Sequence, residues 1–197
     1  MERQLSARRA TPADLEPVTN IITLAFANDP LWSRALRLLG TEQRRVFWRL
    51  CVEGALRYAW TWVLGGGEAT SLWIPPGGTE MSSEQEKRVS ELATALGPEE
   101  DSFHELLRRF DTAHSRSEPH YYLSLLATHP DQRGRGLGMW LLAHDLAVID
   151  DEHCAAYLES SNPANNRRYA SVGFESLGEF SYPGNGPVVT TMWRSAR

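Results

Sequence analysis

The sequence predicts an α/β domain, and three observations carry that expectation. Its 197 residues are 42% hydrophobic and 23% charged, a length and balance at which one core buries most of the apolar surface without splitting in two. The last third alternates an apolar strand-like run, an amphipathic helical run and a second apolar run, the pattern of a βαβ unit. In the middle, two runs of strand-forming residues flank Gly65-Gly66-Gly67-Glu68, which reads as a hairpin. A single domain over 1–197 is therefore expected.

Leu5 to Arg9 reads as a short strand. Thr11-Pro12-Ala13-Asp14 then supplies an N-cap, a proline at the first helical position and an acid in the first turn. Leu15, Val18, Ile21, Ile22 and Ala25 recur at helical spacing, and Asn28-Asp29-Pro30 should stop that helix because the residue before a proline is pushed out of the α region. Leu31 to Gly40 and Glu42 to about Tyr58 read as two further helices, whose aromatics Trp32, Phe47, Trp48 and Tyr58 suit a core better than a pocket wall. Trp60 to Leu64 and Ala69 to Ile74 are the hairpin strands, the second ended by Pro75-Pro76-Gly77-Gly78.

Met81 to Leu96 and Pro98 to about Ala113 are polar and helix-friendly, with His114 to Pro119 as a loop. Together they form the longest insertion between strands, a kind of segment that often covers a site. The last third reads as strand Tyr121 to Thr128, helix Leu137 to Asp150, strand Ala155 to Glu159, helix Asn165 to Ser171, and two strands around Phe174 to Phe180 and Val188 to Trp193.

A formal charge of −5 argues against nucleic acid or an anionic membrane as partner, since both demand a basic face, and faintly favours a cationic substrate. The two cysteines, Cys51 and Cys154, form no CxxC pair, so neither a disulfide framework nor a zinc site is expected and a reducing cytoplasm is the default. Met1 to Leu5 lacks the apolar run of a signal peptide, and no stretch reaches the roughly 20 apolar residues that span a bilayer. Six histidines occur without HxH or HExxH spacing, so no metal is expected.

His129-Pro130-Asp131-Gln132-Arg133-Gly134-Arg135-Gly136-Leu137-Gly138 lies between a predicted strand and a helix whose core face reads as Leu137, Trp140, Leu141, His144 and Val148. Glycines let the backbone approach an anion, and first-turn amides of a helix lack internal partners, so this junction can bind a pyrophosphate in the field of the helix dipole. The bland alternative is a tight strand-to-helix turn. Glycines at 134, 136 and 138 miss the GxGxxG spacing of a dinucleotide site, and no GK[ST] ending marks a Walker loop.

Arg133-Gly134-Arg135-Gly136-Leu137-Gly138 resembles the R/Q-x-x-G-x-G/A loop of the GNAT acetyltransferases, which binds the pyrophosphate of acyl-coenzyme A. Leu126-Ala127-Thr128-His129-Pro130 precedes it as that family's strand does. The resemblance continues in the stretch from Leu158 to Phe174, where an asparagine is followed by a tyrosine and then Gly173-Phe174, and puromycin N-acetyltransferases and their relatives look closest. It is diagnostic over about 120–176. It implies a GNAT fold: a mixed, twisted sheet of six to seven strands with helices on both faces and a cleft between splayed central strands. It also implies acetyl-CoA as cosubstrate. Arg133, Gly134, Arg135, Gly136, Leu137 and Gly138 would hold the phosphates, the backbone at Leu126 and Thr128 the pantetheine arm and thioester carbonyl, and Asn165 the arm or the order of the site.

The chemistry needs an acid and a base. A leaving thiolate, of a class with pKa near 8.5, benefits from a proton that a phenol of pKa about 10 can give. Tyr169 is the candidate, its alternative being a core tyrosine that packs helix against sheet. An alkyl amine is almost wholly protonated at neutral pH, so a base must take a proton. Glu159 ends the apolar run Ala155-Ala156-Tyr157-Leu158 and is the choice, against a solvated strand end or an arginine ion pair. Asn165 could equally be the N-cap of the helix that carries Tyr169. Ser160 and Ser161 lack the GxSxG elbow of a nucleophile.

The expected activity is direct acetyl transfer from acetyl-CoA to a primary amine of a small molecule. The alternatives are a peptide or protein amine as acceptor, or a noncatalytic acyl-CoA sensor. The expected partner is the small-molecule amine and, if any macromolecule, a second copy in a homodimer.

Overall fold

A computed structural model describes residues 5–114 and 117–197. The predicted start at 1–4 and residues 115–116 of the predicted loop lie outside the described residues. Among the described residues seven strands form one mixed sheet: β1 (Ala7–Arg9), β2 (Thr61–Leu64), β3 (Ala69–Ile74), β4 (His120–Thr128), β5 (Ala155–Ser160), β6 (Glu175–Ser181) and β7 (Val188–Arg194). Their spatial order is β1-β2-β3-β4-β5-β7-β6. Among the described strands only the β4–β5 pair is parallel; a parallel pair needs a crossover connection, which α6 (Leu137–Asp151) supplies. The tail hairpin folds back so that β7 lies beside β5 and leaves β6 at the edge.

Helices cover both faces. On one side α1 (Leu15–Phe26), α2 (Pro30–Ala35), α3 (Thr41–Ala55), α4 (Ser83–Ala93) and α5 (Glu100–Ala113) bury a core with Val63, Leu72, Ile74, Leu125 and Ala127 of the sheet. On the other, α6 packs Leu137, Leu141, Leu142, Leu146 and Ile149 on Trp60, Trp62, Trp73, Leu123 and Leu158. Each such fully buried side chain contributes about 1.5–3 kcal/mol relative to exposure. The short α7 (Asn166–Ala170) links β5 to β6. None of the described helices is long and apolar enough to cross a membrane.

Several boundaries differ from the sequence reading. The helix expected to reach Gly40 stops at Ala35, and Arg44 turns back to donate to the carbonyls of Leu36 and Leu39, satisfying the loop backbone without a helix. The next helix ends at Ala55, short of Tyr58. The buried face of α6 is only in part the one read from periodicity: Leu137 and Leu141 are buried as expected. Trp140, His144 and Val148 are half-buried, whereas Leu142 and the fully buried Asp145 face the sheet. Asp145 accepts from the Ser71 hydroxyl and from the Trp73 indole at 2.9 Å, so a carboxylate occupies what periodicity assigns to apolar residues.

Candidate active site

The cleft originates in one extra residue. Leu125 opposes Leu72 and Leu123 opposes Trp73, so Ser124 is a bulge without a partner in the β3 register. Because side chains alternate with period two, an added residue exchanges the faces beyond it. Before the bulge Tyr121 and Leu123 face α6, and after it Leu125 and Ala127 face α1 and α3. The β4–β5 pairing ends at Leu123↔Leu158, so the strands diverge. On that side Leu126 and Thr128 have no β5 partner in the register and open onto a cavity of about 1690 Å³.

The glycine loop from Arg133 to Gly138 borders this cavity. After a 3-10 turn at Pro130–Gln132, Gly134 and Gly136 adopt φ of 79° and 73°, left-handed values that glycine takes without penalty. A β-carbon at either would meet nothing within 4 Å, so both backbones border open space. Trp140 N donates to Gly136 O at 2.9 Å, which begins α6 and leaves its earlier amides for an anion. At Gly138 a β-carbon would lie 2.7 Å from Thr128 Oγ1, so glycine lets the helix start against the end of β4. Leu126, Thr128, Arg133, Gly134, Gly136, Leu137, Gly138 and Asn165 all line the cavity. Arg135 is outside the lining, and its guanidinium engages Gln132. The Arg133 guanidinium is fixed by donation to Ala25 O at 2.7 Å.

Glu159 and Tyr169 line the same cavity. Tyr169 is half-buried on α7 and meets Phe174 edge-on at 6.3 Å. Burial and the nearby Asp29 charge push its phenol up to about 12, against a smaller opposing effect of Arg168, so it stays protonated at neutral pH. Asp29 caps α2 through the amides of Leu31 and Trp32 and accepts from Ser161 Oγ at 2.8 Å. Burial raises its carboxyl despite these donors. The Ser161 hydroxyl is thus committed to Asp29, and that of Ser160 to Asn162 O at 3.1 Å.

Glu159 sits among phenols. Its carboxylate oxygens are buried, and the Tyr122 and Tyr157 hydroxyls beside it are raised by burial and by its charge. Asn165 starts α7 without capping it through its side chain. Instead its Oδ1 accepts from Arg168 Nη1 at 3.0 Å, and the preceding turn is capped by Asn162 through Ala164 N at 3.1 Å.

Residues not anticipated from sequence complete the wall. Glu80, in the segment after β3, accepts from the hydroxyl of the bulge residue Ser124, and burial raises its carboxyl. Gly54 of α3 admits this segment, since a β-carbon there would overlap the Glu80 carbonyl. Trp32, Trp48, Phe110 and Tyr122 line the cavity, Trp32 stacking on Phe110 at 5.8 Å and meeting Trp48 edge-on at 5.2 Å. By contrast Trp60 and Trp73 belong to the core under α6. The insertion after β3 does reach the cavity, through Glu86, Val89 and Ser90 of α4 and Leu107, Phe110 and Asp111 of α5. No signal short of the bulge and its register brings Ser124 to Glu80. Among the described residues, no group of three or more His, Cys, Asp or Glu could hold a metal.

Residues 97–174 match the profile of the Acetyltransferase (GNAT) family. That matched stretch holds β4, the glycine loop, α6, Glu159 and Tyr169, and the match supports an acetyltransferase with acetyl-CoA as cosubstrate. Its fold is shared with a histone acetyltransferase HPA2 and related acetyltransferase from Corynebacterium glutamicum, at 24% identity and TM-score 0.71 over 99% of this chain and 98% of that one. It is also shared with arylalkylamine N-acetyltransferase 2 from Aedes aegypti, at 13% identity and TM-score 0.72 over 99% and 100%. A third is the polyamine N-acetyltransferase of Drosophila melanogaster that forms N-acetylagmatine, at 14% identity and TM-score 0.67 over 98% and 100%. At such identities these likenesses concern the fold.

Proposed function

We propose that the chain, as one domain over 1–197, transfers the acetyl group directly to a primary amine of a small molecule, with Tyr169 as acid and Glu159 as base. The observation that carries this reading is the divergence of β4 and β5 after Leu123↔Leu158, with the phosphate loop on one side and Glu159 and Tyr169 on the same cavity. The open amides of α6 and the glycines at 134 and 136 fit a pyrophosphate. The unpaired edge of β4 at Leu126 and Thr128 fits a pantetheine arm and can polarise a thioester carbonyl.

An acceptor amine arrives protonated at neutral pH. Glu159 takes its proton, directly or through water. The amine nitrogen then forms a bond to the thioester carbonyl carbon as the carbon–sulfur bond breaks, the nitrogen gives up its second proton to water, and the Tyr169 phenol gives its proton to the departing thiolate. A phenol held near 12 is protonated before the step and is recharged from water afterwards. The cover formed by α4 and α5 supports a small acceptor over a peptide laid in an open groove. The amine substrates named for the mosquito and fly enzymes agree with that class.

The test is thiol release from acetyl-CoA with small primary amines and with N-terminal peptides, coenzyme binding being measured in parallel. Turnover confined to small amines supports the proposal. Turnover only on peptides overturns the acceptor class, and coenzyme binding without any turnover overturns the catalytic roles.

A further inference from the structure

Around the acceptor end of the cavity, charge and apolar surface are arranged unevenly. Setting aside Asp29, Arg133 and Arg168 near the coenzyme loop and α7, the carboxylates lining the cavity are Glu80, Glu86, Asp111, Glu118 and Glu159, against Arg108, among the described residues. Of the carboxylates, Glu80 is the one fixed at the bulge: Ser124 donates to it, and Tyr122 and Cys51 feel its charge. Ser124 interrupts β4 between Leu123, where pairing with β5 ends, and Leu126, where the free edge begins. Glu80 is therefore anchored where the reacting carbonyl would have to lie. Beyond it the lining is aromatic, with Trp32, Trp48 and Phe110 in mutual contact or stacked in series.

We infer that Glu80, oriented by Ser124, receives the ammonium of the acceptor, and that the acceptor is a monoamine with an aromatic body that lies on the Trp32–Phe110 wall. This deepens the proposed acetyl transfer and rests on it. A carboxylate at the bulge pairs one cation beside the thioester, while an apolar ring recovers burial and stacking from the aromatic wall. An amine with a second cation, as in agmatine or a polyamine, could pair it with Glu86, Asp111 or Glu118 of the lining but would leave the Trp32–Phe110 wall without a ring to bury against it.

The experiment compares tryptamine, 2-phenylethylamine, agmatine and spermidine with wild type, Glu80→Gln and Ser124→Ala, following kcat and KM for each amine and the Kd for acetyl-CoA. Wild type should show its highest kcat/KM with the aromatic monoamines. Glu80→Gln should raise their KM by about thirtyfold, as expected for a lost charged hydrogen bond, with an unchanged Kd for acetyl-CoA. Ser124→Ala, which leaves the carboxylate but frees it, should raise KM by a smaller factor. An unchanged Kd shows that each variant is folded. Unchanged amine KM in Glu80→Gln, or a wild-type preference for agmatine or spermidine, overturns the inference while leaving acetyl transfer intact. An absence of turnover with all four amines, despite coenzyme binding, overturns the underlying reading and the inference with it.

Discussion

The α-carbon of Gly54 in α3 faces the carbonyl of Glu80 so closely that a β-carbon there would overlap it. Gly54→Ala gains about 1 kcal/mol of helix propensity, but the overlap is with backbone, and overpacking of this kind costs about 1–3 kcal/mol. The overlap should win. The variant is expected to melt at lower temperature and to show a raised KM for the amine, with an unchanged Kd for acetyl-CoA. A more stable protein with normal kinetics would mean that the segment after β3 is free to shift.

Tyr169→Phe removes the proposed acid and keeps its ring against Phe174. Turnover should fall about ten- to a thousandfold with little change in acetyl-CoA affinity. Since the phenol lies near 12, partly through Asp29, it loses its proton only as pH climbs through that value. Activity should therefore show no alkaline decline from this group below about pH 10, roughly two units beneath the phenol. Wild-type turnover in the Phe variant removes the acid role.

Gly136→Glu places a side chain and a negative charge where the backbone has φ of 73° and borders open space at the head of α6. Repulsion from phosphates and strain at a left-handed position act in the same direction. Acetyl-CoA should give no thermal shift in this variant, by differential scanning fluorimetry, while the apoprotein stays folded. A normal shift would move the phosphates off this loop.

Asp145 is buried beneath α6 with Ser71, Trp73 and His144, and burial raises its carboxyl. A raised folded-state pKa makes the native protein hold this proton more tightly. The resulting stability is full below the ordinary aspartate value of about 3.9 and is lost as pH rises through the raised value. Asp145→Asn cannot titrate, so wild type should lose stability relative to it as pH rises from the ordinary aspartate value through the raised one. Urea unfolding of both proteins across that range reads the difference, and a constant difference would show that the acid does not titrate with folding. Asp145→Ala, which strands the Trp73 and Ser71 donors, should cost about 2–4 kcal/mol.

Much of the architecture could be read locally. The strand, glycine loop and helix from His120 to Asp151 follow from apolar runs and from Gly134 and Gly136 at positions that need positive φ. Glu159 and Tyr169 followed from the end of a strand and from a motif, and both reach the cavity. What stayed hidden depends on tertiary register. Ser124 looks like one more polar residue in a strand until its missing partner on β3 is seen. Glu80 follows a proline-glycine turn, and its place at the bulge depends on the close approach that Gly54, 26 positions earlier, permits. Asp145 broke the apolar period of α6 because its partners, Ser71 and Trp73, lie more than 70 residues away.

The most direct test of acetyl transfer to a small amine is steady-state thiol release from acetyl-CoA, with mass detection of the acetylated product, across aromatic monoamines, polyamines and N-terminal peptides. The account predicts an N-acetylated small amine as product, formed fastest from an aromatic monoamine and much more slowly by Tyr169→Phe. Acetyl-CoA binding with no acetylated amine from any member of the panel would contradict it.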